Sequence, residues 1–112
     1  MIETIIRNYL AEKLKPTPVT MEKPSDNPKK YVLLEKTGSS CENGIWKASI
    51  AIQSYAPSLY EAAALNEAVI DKILRIIELD SIAGCKLDSD YNFTNTNTKQ
   101  YRYQAVFDVT YI

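Results

Sequence analysis

The sequence contains no histidine, and only three of its 112 residues are glycine. Histidine is the commonest general base, the usual partner of a serine or cysteine nucleophile and the commonest transition-metal ligand, so its absence argues against many kinds of enzyme. The isolated glycines, Gly38, Gly44 and Gly84, form neither a phosphate-binding loop nor a dinucleotide-binding motif. We therefore predict no catalytic residues, no cofactor and no enzymatic activity.

Metal-ligating side chains are also scarce. Cys41 and Cys85, the only cysteines, stand 44 positions apart and have no histidine to help them bind zinc, so two free thiols are expected. Asp88 and Asp90 would share one face of a strand and in principle suit a hard cation. Because no further acidic cluster or glycine turn accompanies them, we expect two solvated side chains and no metal site.

No charge of one sign dominates the chain. It has 13 basic and 14 acidic residues, mixed along its length, which gives no electrostatic reason to expect nucleic acid as a partner. No stretch approaches the ~20 apolar residues that span a bilayer. Glu3 also stands where a signal peptide would be basic, so we expect a cytoplasmic protein without a membrane partner.

Two amphipathic helices are predicted within a single domain spanning residues 1–112. Apolar residues recur at spacings of three and four from Ile2 to Leu14, which predicts a helix over about 2–15 that Pro16 ends. Ser58 is followed three positions later by Glu61, the spacing at which the two residues cap each other's backbone amides. A broad apolar arc then predicts a long helix over about 58–78.

The remaining segments predict an α+β fold: an antiparallel sheet of four to five strands with both helices packed on one face. Trp46, Ala48, Ile50 and Ile52 alternate with polar or small residues, the period of a half-buried strand. The predicted strands are 19–22, at a sheet edge, then 31–36, 46–53, 86–94 and 101–112. Polar loops are predicted at Thr37–Gly44 and Asn95–Gln100, and no repeat is present.

An aromatic stripe on the last strand has two possible readings. Tyr101, Tyr103, Phe107 and Tyr111 would share one face, as the stacking platforms of single-stranded nucleic acid do. Such platforms come with basic grooves, whereas only Lys99 and Arg102 lie near this stripe. Core packing or a protein interface is therefore expected instead.

Several segments together resemble small phage tail proteins of the tail-terminator type. The resemblance covers nearly the whole chain and lies in the order of elements and in the residues 24–38, 48–56, 58–63, 90–94 and 101–105. It implies a subunit that closes into a ring, typically of six copies, and caps the tail tube and sheath. In a true phage the ring also presents the surface to which the head docks.

The same resemblance implies the partners and the location of the protein. The partners would be further copies of the chain, the tail tube protein, and the sheath protein or head-tail connector. The chain would be found in the bacterial host cytoplasm during assembly and then in the virion or phage-tail-like particle. Small head-tail joining proteins are similar in size and composition, and a ferredoxin-like binding or regulatory module is the alternative.

Physical arguments select the residues that would contact these partners. The polar loops are long for hairpin connections and are not needed by the core, and exposed sheet edges favour contacts between copies. The basic cluster of Lys23, Lys29 and Lys30 either keeps a loop soluble or contacts an acidic surface. The predicted contact residues are Lys29, Lys30, Ser39, Ser40, Glu42, Asn43, Asn95, Asn97, Lys99 and Arg102.

Overall fold

The computed structural model describes all residues, Met1–Ile112, and places five strands in one sheet with two α-helices on one side of it. The elements are α1 (Ile2–Lys13), β1 (Val19–Thr20), β2 (Tyr31–Glu42), β3 (Ile45–Ala56), α2 (Leu59–Ile73), a 3-10 turn (Ile76–Glu78), β4 (Ile82–Asn92) and β5 (Tyr101–Tyr111). Along the sheet the strands follow the order β1-β2-β3-β5-β4. The predicted α+β class is confirmed.

The helices begin close to where the sequence predicts them. The Ser58 hydroxyl accepts a hydrogen bond from the Glu61 amide at 3.2 Å, which confirms the predicted serine cap. The Glu61 carboxylate accepts from the serine hydroxyl at 3.1 Å, whereas the capping box would place it on the serine amide. α2 ends at Ile73 because the backbone then tightens into the 3-10 turn. Neither helix is long and apolar enough to cross a membrane.

The sheet is mixed, not wholly antiparallel. β1 runs parallel to β2 and pairs only with Val32 and Leu33, whereas every other neighbouring pair is antiparallel. A short strand at the edge is what the sequence predicts around Val19, since the prolines on either side of it lack the backbone N–H that pairing with a neighbouring strand requires. The proline-rich connection after Thr20 turns the chain back, so that β2 runs in the same direction as β1.

The predicted loop at Thr37–Gly44 is wrong. β2 continues as a strand to Glu42, with a bulge between Lys36 and Gly38, and pairs with β3 through to Ile45. The two connecting residues, Asn43 and Gly44, have φ of 54° and 79°, the positive values of a two-residue mirror-image hairpin turn. This half of β2 is exposed on both faces, so it lacks the apolar alternation by which strands are recognised.

β4 and β5 form the second hairpin. β4 begins at Ile82, four residues before the predicted start. Bulges at Ile82/Gly84 and Leu87/Ser89 interrupt the alternation of its side chains between the two faces of the sheet. The predicted polar turn after Thr94 is confirmed, because Asn95 and Gln100 bridge the two strands at its base. β5 pairs with β3 along its whole length, which makes these two strands the centre of the sheet.

The core lies between the helices and one face of the sheet, here called the helix face. Its largest fully buried side chains include Phe107, Ile50 and Ile52 of the central strands and Leu10 of α1. Residues paired directly across the strands form rows, and successive rows alternate between the two faces. The opposite face, here called the open face, is covered by no other element.

Candidate interaction surfaces

The two hairpin turns lie at opposite ends of the sheet. The Asn43–Gly44 turn joins the end of β2 to the start of β3, whereas the last residue of β3, Ala56, pairs with Tyr101 beside the second turn. Strands of 11 or 12 residues account for most of the molecule's 45 Å length, against 25 and 24 Å in the other directions. We call these extremities the Asn43 end and the Lys99 end.

The predicted contact residues divide between these ends. Lys29 and Lys30 immediately precede Tyr31, which pairs with Tyr55 at the Lys99 end, so the basic pair lies at the same end as the second turn. All but two of the ten residues are exposed. The groups are Ser39, Ser40, Glu42 and Asn43 at the Asn43 end, and Lys29, Lys30, Asn95, Asn97, Lys99 and Arg102 at the Lys99 end.

Asn95 is engaged within its own turn. Its side-chain oxygen accepts hydrogen bonds from the amides of Asn97 at 3.1 Å and Thr98 at 3.4 Å. Such Asx contacts fix a turn in the way that a backbone hydrogen bond does. Asn97 and Lys99 are left exposed at the tip. Asn95 therefore shapes the tip, and its neighbours provide the accessible surface.

Arg102 is likewise held by its own chain. Its Nε donates to the Phe93 carbonyl at 2.6 Å and its Nη1 to the Tyr55 hydroxyl at 3.1 Å. The guanidinium carbon also lies 4.5 Å from the centre of the Phe93 ring, within the range of a cation–π interaction. The guanidinium ties β3 to the base of the second turn, so its contacts are intramolecular.

Arg102 belongs to an aromatic cluster on the open face that the sequence did not predict. Tyr31 and Tyr55 stack with ring centres 4.4 Å apart, and burial raises the pKa of Tyr31. Tyr55 donates to Gln53, which donates to Gln104, which donates to the Tyr91 hydroxyl. The cluster joins four strands, and only the cross-strand register reveals that these residues are neighbours.

A shallow groove of about 550 Å³ crosses the open face nearer the Asn43 end. Its floor is made of small residues, among them Gly38, Ser49 and Gly84, and Lys86 and Asp108 stand beside each other on adjacent strands. The groove runs from β2 to β4, across the strands and from one edge of the sheet to the other. Small side chains in two neighbouring rows leave this trough between larger residues.

The Asn43 end also exposes apolar side chains. Ile45 and Trp46 are 47% and 41% exposed, and the last residue, Ile112, is 80% exposed. The Trp46 and Tyr111 rings are stacked with centres 6.3 Å apart. The prediction that Trp46 belongs to the same face as Ile50 and Ile52 is confirmed, but Trp46 lies partly open to solvent at the end of the sheet. This end therefore exposes mainly apolar side chains, whereas the Lys99 end exposes lysines together with aromatic side chains, among them Tyr60 and Phe93.

Two polar side chains are buried between α2 and the sheet. Asn66, only 2% exposed, donates from Nδ2 to the Asp90 carboxylate at 2.9 Å, while its own Oδ1 has no hydrogen-bond partner. The Ser54 hydroxyl is fully buried and also has no hydrogen-bond partner.

Asp88 is the extra residue of the β4 bulge and has no partner residue on β5. The regular alternation of side chains that would put Asp88 and Asp90 on one face is therefore interrupted between them. No three metal-ligating side chains come together.

The two thiols are free and lie near opposite edges of the sheet, on β2 and β4. Cys41 is exposed beside the Asn43 turn, whereas Cys85 is half-buried on the helix face. Burial, assisted by the Asp108 carboxylate, raises the pKa of the Cys85 thiol to about 11. Because the thiolate is the reactive form, the Cys85 thiol is protonated at neutral pH and reacts slowly there.

We expect N-ethylmaleimide at pH 7.5 to modify Cys41 at least tenfold faster than Cys85. Intact-mass measurement should show one addition to the native protein and two after denaturation. In a Cys41→Ser control, rapid labelling should disappear until the chain unfolds. Labelling of Cys85 should accelerate only as the pH rises toward its raised pKa. Equal rates at the two sulfurs would contradict this assignment.

Comparison of the sequence with protein-family models and with curated proteins found no match. Three surfaces of the molecule bear on its function: the lysine-bearing Lys99 end, the apolar Asn43 end and the uncovered sheet face between them.

Proposed function

We propose that this chain is a ring-forming structural subunit of a phage tail or phage-tail-like particle. In this role about six copies close into a ring that caps the tail tube and sheath and ends tail polymerisation. In a true phage, the ring then contacts the head or neck through a head-tail connector. The subunit would be assembled in the bacterial host cytoplasm, become part of the particle and catalyse no reaction.

The observation that most supports this proposal is the separation of two chemically different ends. Lys29, Lys30 and Lys99 place positive charge, beside exposed aromatic rings, at one end of a 45 Å molecule, and Trp46 and Ile112 place apolar surface without such a lysine cluster at the other. A subunit between two layers of an assembly needs one surface for each layer. Charged contacts favour selective recognition, and an apolar surface favours stable burial.

The proposal also draws on the sequence resemblance to tail-terminator proteins, which extends over most of the elements described above. The segments that resemble this family include β3, the start of α2 and the first half of β5. These segments form the scaffold that holds the two ends apart. The resemblance therefore suggests the kind of assembly, and the geometry suggests how the subunit is oriented within it.

Native mass measurement and electron microscopy with purified tail tubes test the proposal. We expect a closed ring of about six copies and additional density at tube ends. A Lys29→Glu/Lys30→Glu variant should keep the ring but lose one axial contact, whereas Glu67→Lys, a charge change on the exposed face at the middle of α2, should change neither. A protein that stays monomeric at every concentration and leaves tube ends bare would overturn the proposal.

A ferredoxin-like binding module is the second candidate. Apart from β1, the element order α-β-β-α-β-β is a cyclic rotation of the β-α-β-β-α-β order of ferredoxin-like domains. Such a module would bind one defined ligand or protein and form no ring. A ligand that binds only the folded state must raise the melting temperature, so titration with nucleotides and divalent cations distinguishes the candidates. We expect no shift.

A further inference from the structure

Both edges of the sheet have unpaired backbone. β1 covers β2 only at Val32 and Leu33, so the segment Leu34–Glu42, here called the β2 edge, has no outer neighbour. At the other side of the sheet, β4 pairs with β5 alone, and its outer side from Ile82 to Asp90 is here called the β4 edge. Unpaired strand edges are templates for pairing with another strand.

The directions of these strands decide which kind of self-association they allow. β2 and β4 run in opposite directions, because three successive antiparallel pairings separate them. A second copy rotated about an axis along the strands therefore brings its β4 edge antiparallel to the β2 edge of the first. Each copy then uses two different surfaces, and such a contact closes a ring when the rotation between copies divides a full turn and involves no shift along the axis. A β2-to-β2 pairing would stop at a dimer.

The hydrogen-bonding groups of the two edges are in phase. The Val32 amide points outward, since it donates to the Pro18 carbonyl at 2.9 Å, and alternate residues of a strand point the same way. The bulge at Lys36/Gly38 shifts this alternation by one residue. The backbone N–H and C=O of Ser39 therefore point outward, away from β3. On β4, the Phe93 amide points inward, since it donates to the Arg102 carbonyl at 2.9 Å. Counting back along β4 through the bulge at Leu87/Ser89, the backbone N–H and C=O of Cys85 point outward, away from β5.

The rows of the sheet then set the register. Ser39 lies in the row that continues through Ala48 and Val109 to Cys85. If the rows of one copy continue into the next, Ser39 stands opposite the neighbour's Cys85 as a hydrogen-bonded pair. The same alignment joins the open-face grooves of adjacent copies, because the groove runs along these rows from edge to edge.

Charges on the two edges are complementary in this alignment. Glu35 and Lys86 both lie on the open face, two rows apart, so they become diagonal neighbours across the junction. Diagonal residues are about 7–8 Å apart, within reach of long side chains. Within one copy the two strands between them and the two-row offset keep these residues roughly 16 Å apart, and neither forms an ion pair.

We propose that copies of this chain associate by pairing the β2 edge of one copy antiparallel with the β4 edge of the next. The junction makes the ring one continuous sheet. This inference rests on the proposed function, because it specifies the lateral contact of the proposed ring. The partner is a second copy of the chain, selected by strand direction, hydrogen-bond phase and the Glu35–Lys86 charge pair.

Charge exchange tests the junction directly. Sedimentation velocity over a dilution series should show self-association weakened by roughly tenfold or more in Glu35→Lys and in Lys86→Glu, since each places like charges across every junction. The double variant should recover the wild-type assembly. An equimolar mixture of the two single variants should also recover it, because alternating copies restore every pair. Glu67→Lys is the control and should behave as wild type, because Glu67 is exposed on α2, which packs mainly over the central strands β3 and β5 and not over either edge.

Cysteine crosslinking tests the register. In a Cys41→Ser background, prolonged oxidation of Ser39→Cys at alkaline pH, where more of the Cys85 thiol is ionised, should join neighbouring copies through Cys85 and give a ladder of covalent oligomers. The matched variant Ser40→Cys, whose side chain lies on the other face, should give none. If the wild type forms rings but neither charge exchange nor crosslinking has these effects, this junction is wrong and the proposed function survives. If the wild type never associates, the proposed function itself fails.

Discussion

Replacement of Phe107 by alanine is expected to lower the free energy of unfolding by about 3–5 kcal/mol, the usual cost of removing a buried aromatic side chain. Phe107 is fully buried on the central strand β5, where it pairs with Ile50 on one side and Leu87 on the other. All three side chains lie on the helix face. The resulting cavity would lie at the middle of the only core, where no flexible segment can fill it.

Denaturant titration and thermal melting measure this effect. For a chain of this size, a loss of about 4 kcal/mol lowers the melting temperature by roughly 15 °C. Tyr60→Ala is the matched control, since it also removes an aromatic ring but from a side chain that is 83% exposed. The control should stay within about 0.5 kcal/mol of wild type. Similar losses in both variants would mean that the core lies elsewhere.

Introduction of a carboxyl group at position 66 is expected to destabilise the protein strongly at neutral pH. Asn66 is buried and donates to the Asp90 carboxylate at 2.9 Å. Asn66→Asp replaces that donor with a second acid, so two carboxylates would face each other and one would be buried without a partner. A buried, uncompensated charge of this kind costs about 3–5 kcal/mol.

The penalty should depend on pH. Burial and the neighbouring carboxylate both raise the pKa of the introduced group in the folded state above its unfolded value. Between these two values the folded state binds more protons, so its stability falls as the pH rises through that window. Asn66→Leu, of similar size but uncharged, is the control at each pH. The difference between the variants should be largest at pH 7 and shrink toward pH 4, and a difference that stays constant with pH would contradict the prediction.

Local patterns in the sequence predicted the elements that are amphipathic. α1, α2, β3 and β5 each place apolar residues at the period of their own geometry, and the Ser58 cap identifies the start of α2. These features depend on residues close together in the chain. They can therefore be recognised in the sequence without knowing which strands pair with each other.

What the sequence did not predict depends on neighbours that are distant in the chain. The outer half of β2 is polar on both faces, so its pairing with β3 was missed even though the Asn43-Gly44 turn indicates a hairpin. The Tyr31–Tyr55 stack and the inward hydrogen bonds of Arg102 follow from register alone. The same is true of the division of the contact residues between two ends.

The position of β5 has a consequence for synthesis. β5 is the last strand along the chain but lies in the middle of the sheet, and β3 and β4 meet only through it. The hairpin of β2 and β3 can form while the ribosome is still translating, but the core cannot close before Tyr101–Tyr111 has left the exit tunnel. Folding of this domain is therefore completed only after its central strand has been translated, so the β2 edge can form early on the β2–β3 hairpin, whereas the β4 edge forms only once β5 has joined β4 to the sheet.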